Sequence, residues 1–402
     1  MEKPFIYLDN AASTRPAPEV EAIVTEVGRG RFGNPSSAHA QGSAAARVLE
    51  EARTALLAAL GGEPGQVVFT SGGTEANALG VIGAARLARG RHLVTTALEH
   101  PAVLRNVELV AGERSGEVTL VAPAPGTGAV TAEGVLAAVR RDTAVVAVML
   151  VNNELGTLQP AAEVARALDA FARRENIRRP HLHVDAVQAF GLLPLGPVLR
   201  AADSLALSAH KLQGPRGAGA LWVRPGTRLA PLWDGGRQER GLRSGTENVP
   251  AIAGFARAAA LATAALKAGA AETMARLRDA LEAGITAKVP GAGPTLSGAG
   301  PRAPHIASLA FPGLPAEPLL HALEARGVYV SAGSACAAKD RRPSHVLQAI
   351  GVDDDTAVLR FSLSRETTGP EIAAAIDAVG EAAVEIGTAY ARRGTRRRQP
   401  GG

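Results

Sequence analysis

One lysine, Lys211, stands between an alternating apolar run and a glycine-studded turn in SLALSAHKLQGPRGAGAL (204–221). An amine in such a place can form an imine with a carbonyl compound. SLALSA before it and GALWV after it read as strands, so Lys211 falls at a sheet end, where reactive groups collect, rather than in a solvated surface turn. Three further polar groups close strand-like runs. In LHVDAVQAFG, Asp185 ends the run and Gln188 follows three residues later. A carboxylate there either caps a helix or, facing a ring nitrogen, favours the protonated ring. In TTALEHPAV, His100 is open to three roles: filling a turn, stacking on a flat ring, or moving protons near neutral pH. After VVFT, the letters TSGGTEAN open a helix with Gly73 and Thr74 in its first turn. Free N–H groups and the helix dipole favour an anion there, although Thr74 as a plain N-cap explains the same letters and the lysine of a nucleotide P-loop is missing.

The chain's single cysteine, Cys336, lies in SAGSACAAKDRRPSH, where small residues, a proline and charges replace any apolar period. That composition predicts an accessible loop rather than a buried, inert thiol. Lys339, Arg341 and Arg342 nearby would raise its thiolate fraction. One cysteine cannot form an intramolecular disulfide or by itself a zinc site, and it suits a reducing cytoplasm.

The elements that must position these groups alternate in type. VVFT (67–70), HLVTT (92–96), AVVAVMLV (144–151), LHVDA (182–186) and SLALSA (204–209) read as strands, with helix-length stretches such as 75–89 and 161–175 between them. Such alternation predicts βαβ units and a mainly parallel sheet covered on both faces. Residues 251–284 are helical in composition, with glycines that permit breaks, and lead into a second part built from ASLAFPG, PLLHALEARG, VYVSAG, AVLRFSLS and a final helix from Pro370. The 402 residues are enough for two domains, and 46% hydrophobic with 20% charged residues is an ordinary soluble composition. Much of the net charge of +5 sits in five arginines between 391 and 400, read as a frayed, solvated tail rather than a nucleic-acid site. No signal-peptide pattern and no charge-free apolar stretch of about 18 residues is present, so no membrane span is expected.

Anion site, ring-nitrogen partner, stacking histidine and strand-end lysine are together what pyridoxal 5'-phosphate requires. From YLDNAAST near residue 7 to VLRFSLSRETT near residue 358 the chain resembles the pyridoxal-phosphate-dependent cysteine desulfurases of the NifS/IscS type. The motifs that carry the resemblance are GNPSSAH, FTSGGTEAN, EHPAV, VNNELGTLQP, HVDAVQ, SAHKLQGPRGAGAL, ERGLRSGTENVP, SAGSAC and LRFSLSR.

The resemblance implies an α/β fold of type I, with a large cofactor domain (17–262) holding a mixed, mainly parallel sheet between helices. A smaller α+β domain (1–16 and 263–402) would carry the Cys336 loop, ending in the tail 391–402. It implies that Lys211 bonds the cofactor, His100 stacks on its ring, Asp185 faces the ring nitrogen and Gln188 the phenolic oxygen. Asn153 would line ring and substrate. Gly73, Thr74, Ser208 and His210 would hold the phosphate, joined by Thr246 from the other subunit of a homodimer, and Arg360 would clamp the substrate carboxylate. The implied reaction takes sulfur from L-cysteine, leaving alanine and a persulfide on Cys336. The persulfide would pass to an iron–sulfur scaffold, with transient contact between Cys336 and a cluster, or to a tRNA-thiolation relay. The 24 positions from Cys336 to Arg360 fit the long-loop group of the family. Two stretches depart from the common pattern: AAKDRR replaces a Ser- and Thr-rich segment after Cys336, and Gln238 stands where some relatives have histidine. Selenocysteine lyases and small-amino-acid aminotransferases of the same fold are the alternatives, and transamination needs no thiol.

Overall fold

Runs of Val, Leu and Ala recur between helix-length stretches from residue 66 to 223, and in the computed structural model they assemble into one seven-stranded sheet. The structure describes residues 5–296, 300–332, 344–353 and 356–397. Among these the strands are β1 (Ile6–Tyr7), β2 (Gln66–Thr70), β3 (His92–Thr96), β4 (Glu117–Val121), β5 (Thr143–Met149), β6 (His181–Asp185), β7 (Ser204–Ser208), β8 (Gly219–Val223), β9 (Gly293–Pro294), β10 (Ile306–Phe311), β11 (Val328–Tyr329), β12 (Ser331–Ala332) and β13 (Ala357–Ser362). The large sheet is ordered β2-β8-β7-β6-β5-β3-β4. Every contact from β7 to β4 is parallel, whereas β8 runs antiparallel to both β2 and β7. The sheet is therefore mixed and mainly parallel. Its inner strands β3, β5 and β7 are buried at every residue, because helices cover both faces.

Helices Gly73–Leu87, Pro101–Glu113 and Ala161–Glu175 make the crossovers that let the next strand run in the same direction as the last. All five parallel strands that carry candidate residues therefore end on one edge. The outermost strand there, β2, leads into the Gly72–Gly73 turn and is finished by a side-chain pair. Glu239 accepts from the Phe69 N–H at 2.8 Å, and Arg53, bonded to Glu239 at 2.9 Å, donates to the Val67 carbonyl.

Around the large sheet the elements differ from expectation at their ends. Strand β5 stops at Met149 because Leu150 and Val151 leave the ladder, Val151 bridging Leu158. The helical stretch 251–284 is two helices, Val249–Lys267 and Ala270–Lys288, parted at Gly269, whose φ of 85° is readily adopted only by glycine. Val249–Lys267 is, among the described residues, the helix long and apolar enough to cross a membrane. Here it packs on helices Pro18–Gly30 and Ala40–Ala59, with Phe255, Ala258 and Ala259 fully buried. The tail expectation is corrected. The final helix runs Gly369–Arg397, past residue 391, since alanine and arginine are strong helix formers and Gly394 interrupts them only once. Residues 398–402 lie outside the described part.

The second sheet, ordered β12-β13-β10-β9, is antiparallel and lies against helices Ala270–Lys288 and Ala316–Ala325, on both of which helix Gly369–Arg397 packs. The N-terminal strand joins this part: β1 pairs with β11, and Ile6 and Leu8 share a core with Leu309, Phe361 and Val379. Leu98, Met149 and Leu155 of the large part meet Val346, Leu347 and Val358 in a separate apolar cluster that fixes one sheet against the other.

Candidate active site

At the end of β6 the period of two turns His181, His183 and Asp185 to one face of the sheet. Asp185 is buried, 6% exposed; its Oδ2 accepts from Asn77 Nδ2 at 2.7 Å and its Oδ1 from the Val187 N–H at 2.9 Å. It caps a turn rather than a helix. Burial raises its pKa, against the lowering effect of those hydrogen bonds and of His100 and Lys211. A buried carboxylate with no cation bonded to it among the described residues fits a partner that brings a positive charge.

Lys211 ends a single turn, Ala209–Lys211, that follows β7 directly, and its Nζ donates to the Ala11 and Ala12 carbonyls at 2.6 and 2.9 Å. The N-terminal segment thus lies over the lysine. It is pinned by Thr14, which bonds the His210 carbonyl at 2.8 Å and accepts from the Gln213 N–H at 2.7 Å. Gln188 bridges the same region, donating to the Ala11 carbonyl at 2.9 Å and meeting His305 Nε2 at 3.2 Å. His100 is the N-cap of helix Pro101–Glu113 and accepts from the Ala102 N–H at Nδ1, so its neutral ring carries the proton on Nε2. Desolvation lowers its pKa first; Lys211 and His345 add to this, and Asp185 opposes it.

The anion cradle forms where β2 and β7 end on either side of Gly219, the first residue of β8. Gly73 opens helix Gly73–Leu87, and a Cβ there would lie 2.7 Å from Val187 and 3.4 Å from Ser208, so only glycine leaves the approach clear. Thr74 is exposed beside it. The Ser208 hydroxyl is buried and has no hydrogen-bond partner among the described residues. His210 reaches Ser13 at 3.3 Å, and burial, with Lys211 and Arg216 adding, pushes its pKa down to about 4. An orphaned hydroxyl next to a helix N-terminus, with a buried carboxylate on the next strand, matches the phosphate and ring nitrogen of pyridoxal phosphate.

Arg360 enters from β13 of the smaller sheet. One guanidinium nitrogen donates to the Asn153 carbonyl at 2.8 Å and another to Asp9 Oδ1 at 2.8 Å, which brings the two expected substrate-binding residues together. Asn152, its neighbour, is structural, tying Leu98 to the turn at Glu154 and Leu155. Thr246 is not brought to this cluster by any described hydrogen bond. It lies on an exposed segment tied back to the cradle helix through Arg243 and Glu75 at 2.9 Å. Cys336 lies outside the described residues. Among the described residues no group of three or more His, Cys, Asp or Glu could hold a metal ion.

Sequence reasoning missed Asn77, His183, Asp9 and Glu99. Asn77 closes the quoted FTSGGTEAN and His183 precedes Asp185 by two on the same strand face, so spacing offered a signal for both. Glu99, beside His100, is fully buried, with its pKa pushed up to about 8 by desolvation. Nothing in LEHPAV marks it as buried.

Residues 6–374 match the family described as Aminotransferase class-V. A cysteine desulfurase of Cereibacter sphaeroides is 42% identical over 377 residues, 91% of this chain and 92% of its own length. A solved structure of a NifS-like protein is similar with a TM-score of 0.84 at 34% identity, over 94% of this chain and 99% of that one. SspA in complex with cysteine is similar with a TM-score of 0.75 at 31% identity, over 91% of this chain and 100% of its own.

Proposed function

The chain belongs to the class-V aminotransferase family, and we propose that the reaction it performs there is the desulfuration of L-cysteine with pyridoxal 5'-phosphate as cofactor. The observation that supports this reading most directly is the convergence of Gly73, Ser208, Asp185 and Lys211 on one edge of one sheet. Bound there, pyridoxal phosphate supplies an electron sink that makes the substrate's α-proton acidic.

The chain's own residues do the rest. Gly73, Thr74, Ser208 and His210 would hold the phosphate, Asp185 the ring nitrogen and Gln188 the phenolic oxygen, while Lys211 would be the amine that holds the aldehyde carbon and His100 would stack on the ring. Arg360, beside Asn153, binds the substrate carboxylate. Lys211 Nζ and His100 Nε2 take and return protons at the substrate carbons. The Cys336 thiolate attacks the substrate sulfur: an S–S bond forms, the C–S bond breaks and its electron pair stays on carbon, which takes a proton to become alanine. The balance is cysteine plus thiol giving alanine plus persulfide. We assign Thr246, on its exposed segment, to the phosphate of a second copy in a homodimer. The persulfide is handed to a sulfur-accepting protein, for iron–sulfur assembly or tRNA thiolation, in the reducing cytoplasm that a single cysteine suits.

The test is Cys336→Ser. It should keep the visible absorption of bound cofactor while sulfide and alanine formation from L-cysteine fall to background. Turnover at the parent rate would overturn the thiol's role, and keto acid in place of alanine would make the protein an aminotransferase.

A further inference from the structure

Behind Asp185 a row of polar side chains runs through an otherwise apolar interior. Asn77 Nδ2 donates to Asp185 at 2.7 Å, Asn77 Oδ1 meets His183 Nε2 at 2.8 Å, His183 Nδ1 meets Ser204 Oγ at 2.8 Å and the same hydroxyl meets His181 Nε2 at 2.8 Å. Asn77, His183 and Ser204 are 1% exposed or less, so each bond replaces water that cannot enter. Such a row is costly to build and persists only when every member is satisfied.

The carboxylate fixes its direction. An ionised Asp185 only accepts, so Asn77 must turn its NH2 toward it and its oxygen toward His183. His183 must then carry its proton on Nε2 and accept at Nδ1; Ser204 donates to that nitrogen and accepts from His181. One arrangement of protons satisfies all four bonds, and every donor points toward Asp185. Desolvation, by holding the His183 pKa down to about 3 and that of His181 to about 4, keeps both rings neutral, as the arrangement needs. The backbone makes room for it. Gly80 sits one turn after Asn77 on the same helix, and a Cβ there would run into the His183 ring.

We propose that His183 and Asn77 are positioning residues, locked in a single proton arrangement by Ser204 and His181, that hold Asp185 ionised and aimed at the cationic ring nitrogen of the cofactor. The proposal rests on the pyridoxal phosphate reading of the site. Without the His183 N–H, Asn77 loses the partner of its oxygen, its amide is free to rotate, and Asp185 loses a hydrogen bond made to a charge. Glutamine in place of His183 can keep a donor toward Asn77; leucine cannot.

The experiment titrates pyridoxal phosphate into the apoprotein of the full chain and its His183→Leu and His183→Gln variants, followed by the visible absorption of the bound form. His183→Leu should bind about ten- to a hundredfold more weakly, the loss expected of a hydrogen bond to a charged group. His183→Gln should recover most of the affinity, and the pH dependence of the bound absorption should shift in the first variant and not in the second. Parent affinity in a folded His183→Leu, or equal losses in both variants, would overturn the proposal and leave His183 a packing residue. Nitrogen NMR of the histidine-labelled apoprotein decides the same point without cofactor. A neutral His183 ring protonated on Nε2 is expected, lost as a single form in Ser204→Ala; a ring protonated on Nδ1 would overturn the relay. Failure of the parent protein to bind pyridoxal phosphate would instead strike the underlying reading, with the NMR result still deciding the relay.

Discussion

Asp185, on the seven-stranded sheet, is hydrogen-bonded among the described residues by neutral donors, the Asn77 amide and the Val187 N–H. Arg360, on the four-stranded sheet, is held by an opposite charge, Asp9, as well as by the Asn153 carbonyl. The two supports suit two kinds of ligand. Neutral donors leave Asp185 without a bonded counter-charge, ready for a cation that stays. The Asp9 carboxylate already answers part of the charge of Arg360, so an incoming carboxylate must share or displace it, which suits a substrate that binds and leaves each cycle.

The largest effect should come from removing the charge that the neutral donors serve. Asp185→Asn keeps size and acceptor but abolishes the anion. An opposite charge at this range shifts a pKa by about 1–3 units, so turnover should drop about ten- to a thousandfold. Steady-state rates of sulfide release measure it, and a variant within twofold of the parent would remove Asp185 from the comparison altogether.

Arg360 offers a smaller and differently shaped change. Arg360→Ala should raise KM for cysteine about ten- to a hundredfold, with kcat changed much less, because the lost bonds are made to the substrate in its ground state as well. Asp9→Asn should lower KM about two- to fivefold by removing the competing charge. A higher KM in Asp9→Asn would mean that Asp9 orients Arg360 rather than competing with its ligand, and the contrast between the two sheets would have to be redrawn.

These two supports were not equally legible in the sequence. The groups around Asp185 come from a run of βαβ units whose periods are strong, and the strands that carry them match the expected spans to within two residues at each end. Period two even puts His183 on the face of Asp185. What spacing cannot supply is the partner across the sheet, since Asn77 lies 108 residues away and its contact depends on how the crossover helix packs. The support of Arg360 was less accessible still. Asp9 and Asn153 are 351 and 207 residues distant, on an N-terminal segment and a loop with no regular period. The strand β4, EVTLV, was missed because it is an edge strand with only Val121 buried, and edge positions blur the apolar pattern. The helix beyond residue 391 was misread because a run of arginines resembles a solvated tail when its helix-forming propensity is set aside.

The smallest effect concerns stability and reaches both parts at once. Burial holds His183 at about 3 and His181 at about 4 beside the large sheet, and His305 at about 3 where β10 begins, against an ordinary value of 6.5. Between those values the unfolded chain binds protons that the folded one refuses, so these rings contribute stability that is present above about pH 6.5 and lost as pH falls toward 4 and 3. Glu99 has the opposite sign: raised from 4.5 to about 8, it contributes stability present below 4.5 and lost as pH rises through 8. The melting temperature should therefore fall on acidification from pH 7 to pH 5, by about 1 °C for each kcal/mol lost in a chain of 402 residues. His183→Gln and His305→Gln should each flatten that slope, one on either side of the comparison, while Glu99→Gln should steepen it, by removing the group that opposes the fall, and raise the melting temperature at pH 8. Calorimetry across that range checks all three. A slope flattened by His183→Gln alone would mean that only the seven-stranded sheet keeps its buried ring neutral at the expense of acid stability.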